Sequence, residues 1–366
     1  MKLFYVSTER GWHGGEEQLR LLVEGARSAG HECLVAARGC GKFAPRMRRA
    51  GLPIVELPDR VRDPRGAIRL RRAARDFRPD VIHANDPHAV SLTNVACWGL
   101  PRVDRGGPVR IASRRVLFPI RSPGKYRRCD RIACVSHAIA ELCVAGRLAA
   151  ELLTVVHDGV DPARMTTGDA AQGRAALGLP NDAPLVLCVA QLSAYKGHRY
   201  LLDAWPTVRA AFPAAVLALA GDGPLRSDLE SQARALGVAD SIRFLGYRTD
   251  VPDLVQACDL FVLASPEEGL GTSVLDAMFA ERPVVGADAG GIPEMLRDDA
   301  GVECGWLVAA RDPRALARGL SAALSDAAER RRRAALGRSR AEQEFAAATM
   351  IARTLALYES LLGRRG

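Results

Sequence analysis

The sequence predicts an α/β protein built as two doubly wound parallel domains, and three observations carry that prediction. Short β-rich apolar runs alternate with helical patterns through the first half of the chain. The alternation stops in a polar stretch rich in Gly, Ala and Thr, from about Pro162 to Asp182, and then restarts. At 366 residues, the chain also exceeds the ~250–300 residues at which one hydrophobic core usually stops growing. Strands that alternate with helices need crossover connections, and crossovers give parallel sheets.

The strand candidates of the first half are KLFYVS, ECLVAA, PIVEL, DVIHAN, RIAS, RIACVS and LLTVVH. A helical segment such as EEQLRLLVEGARSAG separates the first two. It puts Leu19, Leu22, Val23 and Ala26 on one face and stops at Gly30. Beyond the break, which reads as a linker, come PLVLCVA, AVLALAG, IRFLG, LFVLAS and PVVGA, each followed by a helix. Residues 312–362 are almost entirely helical, with no proline after Pro313. The expected division is a first domain over 1–165, a second over 166–345, and a C-terminal helix over 346–366 that packs back on the first domain. Two such domains put a cleft between them, with ligands at the carboxyl ends of the strands.

Composition narrows the function. A chain 48% hydrophobic and 25% charged is neither disordered nor a small disulfide scaffold. No apolar run approaches the ~20 residues that cross a bilayer. The start, MKLFYVSTERGWHGG, reads as a first strand rather than a signal peptide. The nine cysteines form no Cys-x-x-Cys pair and sit mostly in apolar runs, as buried reduced thiols of a cytoplasmic protein do.

The net charge of +9 is uneven: residues 1–165 carry 29 basic against 17 acidic side chains (+12), and the remainder 22 against 25 (−3). A basic first half suits an anionic partner such as a membrane surface, an anionic acceptor or nucleic acid. Only four of the 51 basic residues are lysine, which also fits a general arginine bias. The arginine-rich stretch 60–78 reads either as a helix lying on anionic lipid, with Ile68, Leu70, Ala73, Ala74 and Phe77 as a thin apolar stripe, or as an ordinary solvated helix.

Three stretches carry chemistry. Gly14-Gly15 lies after the first strand at the start of a helix, where glycine admits close backbone approach and a helix N-terminus favours an anion; a tight turn is the plain alternative. Lys196, in VAQLSAYKGHRY, follows the first strand of the second domain and is placed to neutralise phosphate. The longest is LFVLASPEEGLGTSVLDAMFAERPVVGADAGGIPEML. There a strand ends at Ser265, Thr272 or Ser273 caps the next helix, and the N–H groups of Leu270 to Ser273 form an anion cradle. Glu268 and Asp276 flank it. Carboxylates repel phosphate, so these two suit sugar or ribose hydroxyls.

This last stretch resembles the signature of retaining GT-B glycosyltransferases, above all glycosyltransferase family 4. The elements are Glu268-Gly269-Leu270-Gly271, Ala277-Met278, Pro283-Val284-Val285 and Gly290-Gly291 before Glu294. Flanking matches are GGEE, GHE, PDVIHAND, CVSHA, HDGVD, AGDGPLR and FLGYRTDV, in the family's order along nearly the whole chain. The resemblance implies a GT-B fold and a nucleotide-diphosphate sugar as co-substrate, with no separate cofactor and no bound metal. No Asp-x-Asp motif occurs. It implies that Lys196 and the backbone over Gly269, Leu270, Gly271, Thr272 and Ser273 hold the diphosphate. Gly14 and Gly15 would approach from the first domain, Glu268 would contact donor-sugar hydroxyls, and Asp276 the ribose.

Three departures stand out. Asp276 is one methylene shorter than the family's second glutamate. Gln191 stands where an arginine is usual. Ser113-Arg114-Arg115 replaces a Thr-x-His setting, so Arg114 is expected as a catalytic cation and Arg115 as an acceptor-side one. His83, Asp86 and His88, at the end of the fourth strand, are further acceptor-side candidates, and acceptor choice is expected in loops such as 59–66 and 100–125.

The implied activity is metal-independent, retaining transfer of a sugar to a glycan or lipid-linked cell-envelope acceptor, in the cytoplasm and peripheral to the inner face of a membrane. The rivals are a nucleotide-sugar epimerase or hydrolase of the same fold, and a non-catalytic sugar-nucleotide or polyanion-binding protein. Retention of Glu268 and Lys196 speaks against the latter. Nucleic acid is not an expected partner, because the chain is 5% aromatic and has no stacking array.

Overall fold

A computed structural model describes residues 1–60, 63–101, 103–180 and 183–363. The chain divides into two units, Met1–Gly159 with Ala347–Gly366, and Val160–Ala346.

In the first unit, β1 (Lys2–Val6), β2 (Glu32–Arg38), β3 (Ile54–Leu57), β4 (Val81–Ala84), β5 (Val109–Arg114), β6 (Arg131–Cys134) and β7 (Leu153–Val155) form one sheet. Its order is β3-β2-β1-β4-β5-β6-β7, and every pairing is parallel. β1 and β4 are fully buried apart from Lys2, so they read as continuous apolar runs. In the second unit, β8 (Leu185–Val189), β9 (Val216–Ala220), β10 (Ile242–Gly246), β11 (Leu260–Leu263), β12 (Val284–Ala287) and β13 (Trp306–Val308) are ordered β10-β9-β8-β11-β12-β13, again all parallel. Both are doubly wound sheets, whose strand order reverses beside β1 and beside β8.

Twelve of these strands coincide with runs legible in the sequence. β13 does not, because three residues give no period to detect. The linker reading of 162–182 also gives way, with Asn181 and Asp182 outside the described residues. Ala163–Thr166 and Ala170–Leu177 are helices of the second unit. Gly168 between them and Gly173 in the second serve close packing: a Cβ on Gly168 would lie 2.4 Å from the Pro252 carbonyl oxygen, and one on Gly173 2.3 Å from that of Asp253. The amphipathic stripe of 60–78 is likewise spent inside. In the helix Pro64–Phe77, Leu70 and Ala74 are buried and Ile68 alone of the stripe is largely exposed; residues 61 and 62 lie outside the described residues.

The helix Ala347–Leu362 belongs to the first unit, where Met350, Leu357, Tyr358 and Leu361 share one core with Leu19, Leu22, Val23 and Ala26 of the helix Gly14–Ser28. It is pinned by a buried polar chain. His83 Nδ1 lies 2.5 Å from the Tyr358 hydroxyl and Nε2 lies 2.7 Å from Ser113 Oγ. Burial drives the His83 imidazole down to about 3, so it is neutral in the fold.

A histidine held neutral while its unfolded counterpart titrates near ~6.5 stabilises the fold above that pH. The contribution is lost as pH falls from there toward 3. His83→Gln is therefore expected to be less stable than the parent at pH 7.5, with the gap narrowing by pH 4.5. Paired thermal melts measure it; a gap that widens toward acid contradicts the assignment.

Eight of the nine cysteines are buried and all are free thiols; Cys40 is exposed. Among the described residues, no helix is long and apolar enough to cross a membrane.

Candidate active site

In the second unit, β8 and β11 are neighbours across the point where strand order reverses, and the turns that follow them carry the site. The turn after β8 runs through a single 3-10 turn, Ala194–Lys196, to Gly197, which starts the helix His198–Ala211. Gly197 has φ +71°, and a Cβ there would lie 2.0 Å from the Ala264 carbonyl oxygen just past β11. Only glycine allows the two turns to touch. That contact brings residues distant in sequence together: Lys196 Nζ donates to Glu268 Oε2 at 2.6 Å. Glu268 is buried and Lys196 half-buried. A third turn, after β12, supports the glutamate from behind. Gly291 N donates to the Glu268 carbonyl at 3.0 Å.

The helix Thr272–Phe279 begins directly after Glu268-Gly269-Leu270. Its N-cap is Gly271 at φ +103°, and no side chain caps it. Thr272 and Ser273 thus occupy the first two helical positions instead of capping. The first-turn N–H groups lack a side-chain acceptor beside the Lys196–Glu268 pair, an arrangement that attracts an anion. Asp276 is buried one turn along, with Arg164 Nη1 3.8 Å from its Oδ1. Gln191 is exposed and accepts from the Tyr195 hydroxyl at 2.9 Å, so no cation stands at that position. His198, just beyond Lys196, is driven down to about 4 by burial and secondarily by the lysine charge.

In the first unit, Gly14 and Gly15 begin the helix Gly14–Ser28 after β1, beside that sheet's own reversal point. Glu16 Oε2 accepts from His13 N at 3.0 Å. Burial, with Glu9 and Asp86 nearby, raises the Glu16 carboxyl to about 7 against the pull of its backbone bonds. Asp86 is a helix cap: its carboxylate accepts from Thr8 N, Thr8 Oγ1, His88 N and Ala89 N. His83 is the satisfied core residue described above, and His88 is exposed. Arg114, expected as a catalytic cation, points inward. It is buried and donates to the Phe118 carbonyl, holding the loop after β5. Arg115 bonds Asp158 and Asn85. Asn85 and Asp158 fall inside the matched stretches PDVIHAND and HDGVD, and Gln18 inside the first helix, but none is singled out because their partners are remote in the chain; of the loops at 59–66 and 100–125, residues 61, 62 and 102 lie outside the described residues.

Comparisons with known proteins identify the family and the fold. Residues 12–164 match the Glycosyltransferase Family 4 model and residues 169–340 the Glycosyl transferases group 1 model. The lipopolysaccharide core biosynthesis mannosyltransferase LpsB of Rhizobium meliloti (strain 1021) is 31% identical over 257 residues, 68% of this chain and 73% of that protein. Glycogen synthase of Mycobacterium tuberculosis (strain ATCC 25618 / H37Rv) is 30% identical over 325 residues, covering 82% and 74%. Among solved structures, Anabaena Alr3699/HepE in complex with UDP superposes with a TM-score of 0.84 at 22% identity, over 98% of this chain and 100% of that one.

The two doubly wound sheets are thus those of the GT-B fold class, with the lysine–glutamate pair at the reversal point of the second. The chain belongs to the group 1 glycosyltransferases, and it is a transferase enzyme.

Proposed function

We propose that the enzyme moves a sugar, with retention and without a bound metal, from a nucleotide-diphosphate donor to a glycan or lipid-linked acceptor of the cell envelope. The observation that carries the donor reading is the Lys196–Glu268 pair beside an uncapped helix N-terminus. Lys196 and the amides from Gly269 to Ser273 would take the diphosphate and stabilise it as it leaves. Their positive charge stands in for the metal. Glu268 would then release the lysine and turn to donor-sugar hydroxyls. Asp276 would hold the ribose. Solved complexes of HepE contain UDP and UDP-glucose, which makes UDP the first nucleotide to try. LpsB acts in lipopolysaccharide core biosynthesis as a mannosyltransferase, which keeps GDP-mannose in view and supports the envelope acceptor. Work on such an acceptor fits a cytoplasmic enzyme peripheral to the inner membrane face.

Calorimetric titration of UDP, GDP, ADP and CMP into the parent and Lys196→Ala tests the donor site. One nucleoside diphosphate is expected to bind, and to bind at least tenfold more weakly to the variant. Binding of none, or equal binding to both proteins, overturns the assignment. Proton NMR of the product's anomeric coupling tests retention.

A further inference from the structure

The residues around Arg115 close a ring of hydrogen bonds that neither the fold's apolar core nor the donor site requires. Arg115 Nε donates to Asp158 Oδ1 at 3.0 Å, and Nη1 donates to Asn85 Oδ1 at 2.6 Å. Asn85 Nδ2 donates in turn to the Gly15 carbonyl at 3.3 Å. On the same helix as Gly15, the Gln18 amide bonds Gly159 twice, Nε2 to its carbonyl at 2.9 Å and Oε1 from its N–H at 3.0 Å. Gly159 follows Asp158, which completes the circuit. Asn85, Gln18 and Asp158 are all buried, and the Arg115 side chain is 17% exposed. A buried circuit of paired polar groups fixes geometry more sharply than apolar packing does. What this one fixes is specific: the Gly14–Gly15 turn and the last two residues of the first unit before the chain enters the second.

We propose that Arg115 is a positioning residue for transfer: it acts through Asn85 and Asp158 to hold the Gly14–Gly15 turn, and does not itself bind phosphate or acceptor. The inference rests on the function proposed above, together with the approach of Gly14 and Gly15 to the donor that the family resemblance implies. Two features separate it from the expectation of an anion-binding arginine. Its charge already faces the Asp158 carboxylate, and its fork already spans two acceptors, a geometry that lysine cannot reproduce. The turn itself is open. A Cβ on Gly15 would meet nothing nearer than Arg115 Cδ at 3.9 Å and Asn85 Nδ2 at 4.0 Å, which is ordinary contact. The fold therefore accepts alanine there, and any loss of activity in Gly15→Ala reports substrate approach rather than misfolding.

The test compares the full-length parent with Arg115→Met, Arg115→Lys, Asp158→Asn, Gly15→Ala and Lys196→Ala. Hydrolysis of UDP-glucose and GDP-mannose gives kcat and KM, UDP and GDP titrations give Kd, and backbone hydrogen exchange reports residues 13–18 and 157–160. Arg115→Met is expected to raise exchange in both segments together and to lower kcat/KM about tenfold or more. UDP or GDP Kd should change less than threefold, because Lys196 and Glu268 are untouched. Arg115→Lys should recover only part of the loss, and Arg115→Met with Asp158→Asn should cost no more than the worse single change.

Unchanged exchange in Arg115→Met overturns the proposal, as does a tenfold loss of nucleotide affinity, which would make Arg115 a direct phosphate ligand. If Arg115→Met does not fold, Asp158→Asn and Arg115→Lys carry the same exchange comparison. The Lys196→Ala arm keeps the two readings apart. Nucleotide binding insensitive to it sinks the donor site, whereas failure confined to the Arg115 arms sinks this inference alone.

Discussion

Lys196→Ala is expected to lower kcat/KM for the donor by about 10²–10³-fold, the loss seen when one preorganised group facing transition-state charge is removed. The ammonium is bonded to Glu268 at 2.6 Å. A donor diphosphate would have to compete with that carboxylate for it. Glu268→Gln separates the two roles. It keeps the shape and removes the competing charge, so nucleoside-diphosphate affinity should hold or tighten. If Glu268 contacts the sugar as proposed, transfer should still fall about 10²-fold, because that contact would lose its charge. Nucleotide binding thus weakens in Lys196→Ala and holds or tightens in Glu268→Gln, while both lose turnover. Titration alongside steady-state kinetics reads this directly, and a Glu268→Gln enzyme that binds nucleotide tenfold more weakly would refute the competition.

The second large effect is expected at Gly290. Its φ is +58°, and a Cβ there would sit 2.2 Å from the Glu268 carbonyl oxygen. Neither atom is the tip of a flexible side chain, so backbone has to move. Overpacking of this kind costs about 1–3 kcal/mol, and a left-handed non-glycine residue adds ~1–2 kcal/mol. Gly290→Ala should lower the melting temperature by about 4–20 °C at ~2–4 °C per kcal/mol. It should also displace Glu268, so activity should fall further than the stability loss explains at a temperature where the variant is folded. Gly15→Ala is the contrast. It meets only ordinary contacts within the fold, and its melt should match the parent's.

Much of the architecture was legible in the chain. The alternation of apolar runs with helical patterns specifies two parallel sheets, because a buried parallel strand must be apolar on both faces. β13 escaped, since a three-residue run is positioned by its pairing with Val285 to Ala287 rather than by its own pattern. The glycine-rich stretch after Pro162 forms helices where its composition predicts a linker, for a related reason. Glycine marks a loop when it supplies backbone freedom, but here Gly168 and Gly173 supply close approach to the helix Val251–Ala257, a distinction that exists only once the neighbour is present.

At the site the division is similar. Lys196, Glu268, Gly271 and Asp276 stand out in sequence, because glycine, a charged side chain and a helix start follow a strand in close succession. The pairing of Lys196 with Glu268 across 72 residues is a product of sheet order, which places β8 beside β11. The fates of the histidine and arginine candidates could not be read at all. His83 and Arg114 are polar residues at strand ends, as ligand-binding residues are, yet His83 finds Tyr358 and Ser113, and Arg114 finds the Phe118 carbonyl.

A sequence determines which side chains can carry chemistry and where the turns that present them fall. Whether a given polar group is presented or consumed depends on the partners that burial delivers to it. Those partners come from segments remote in the chain, so tertiary structure alone decides it.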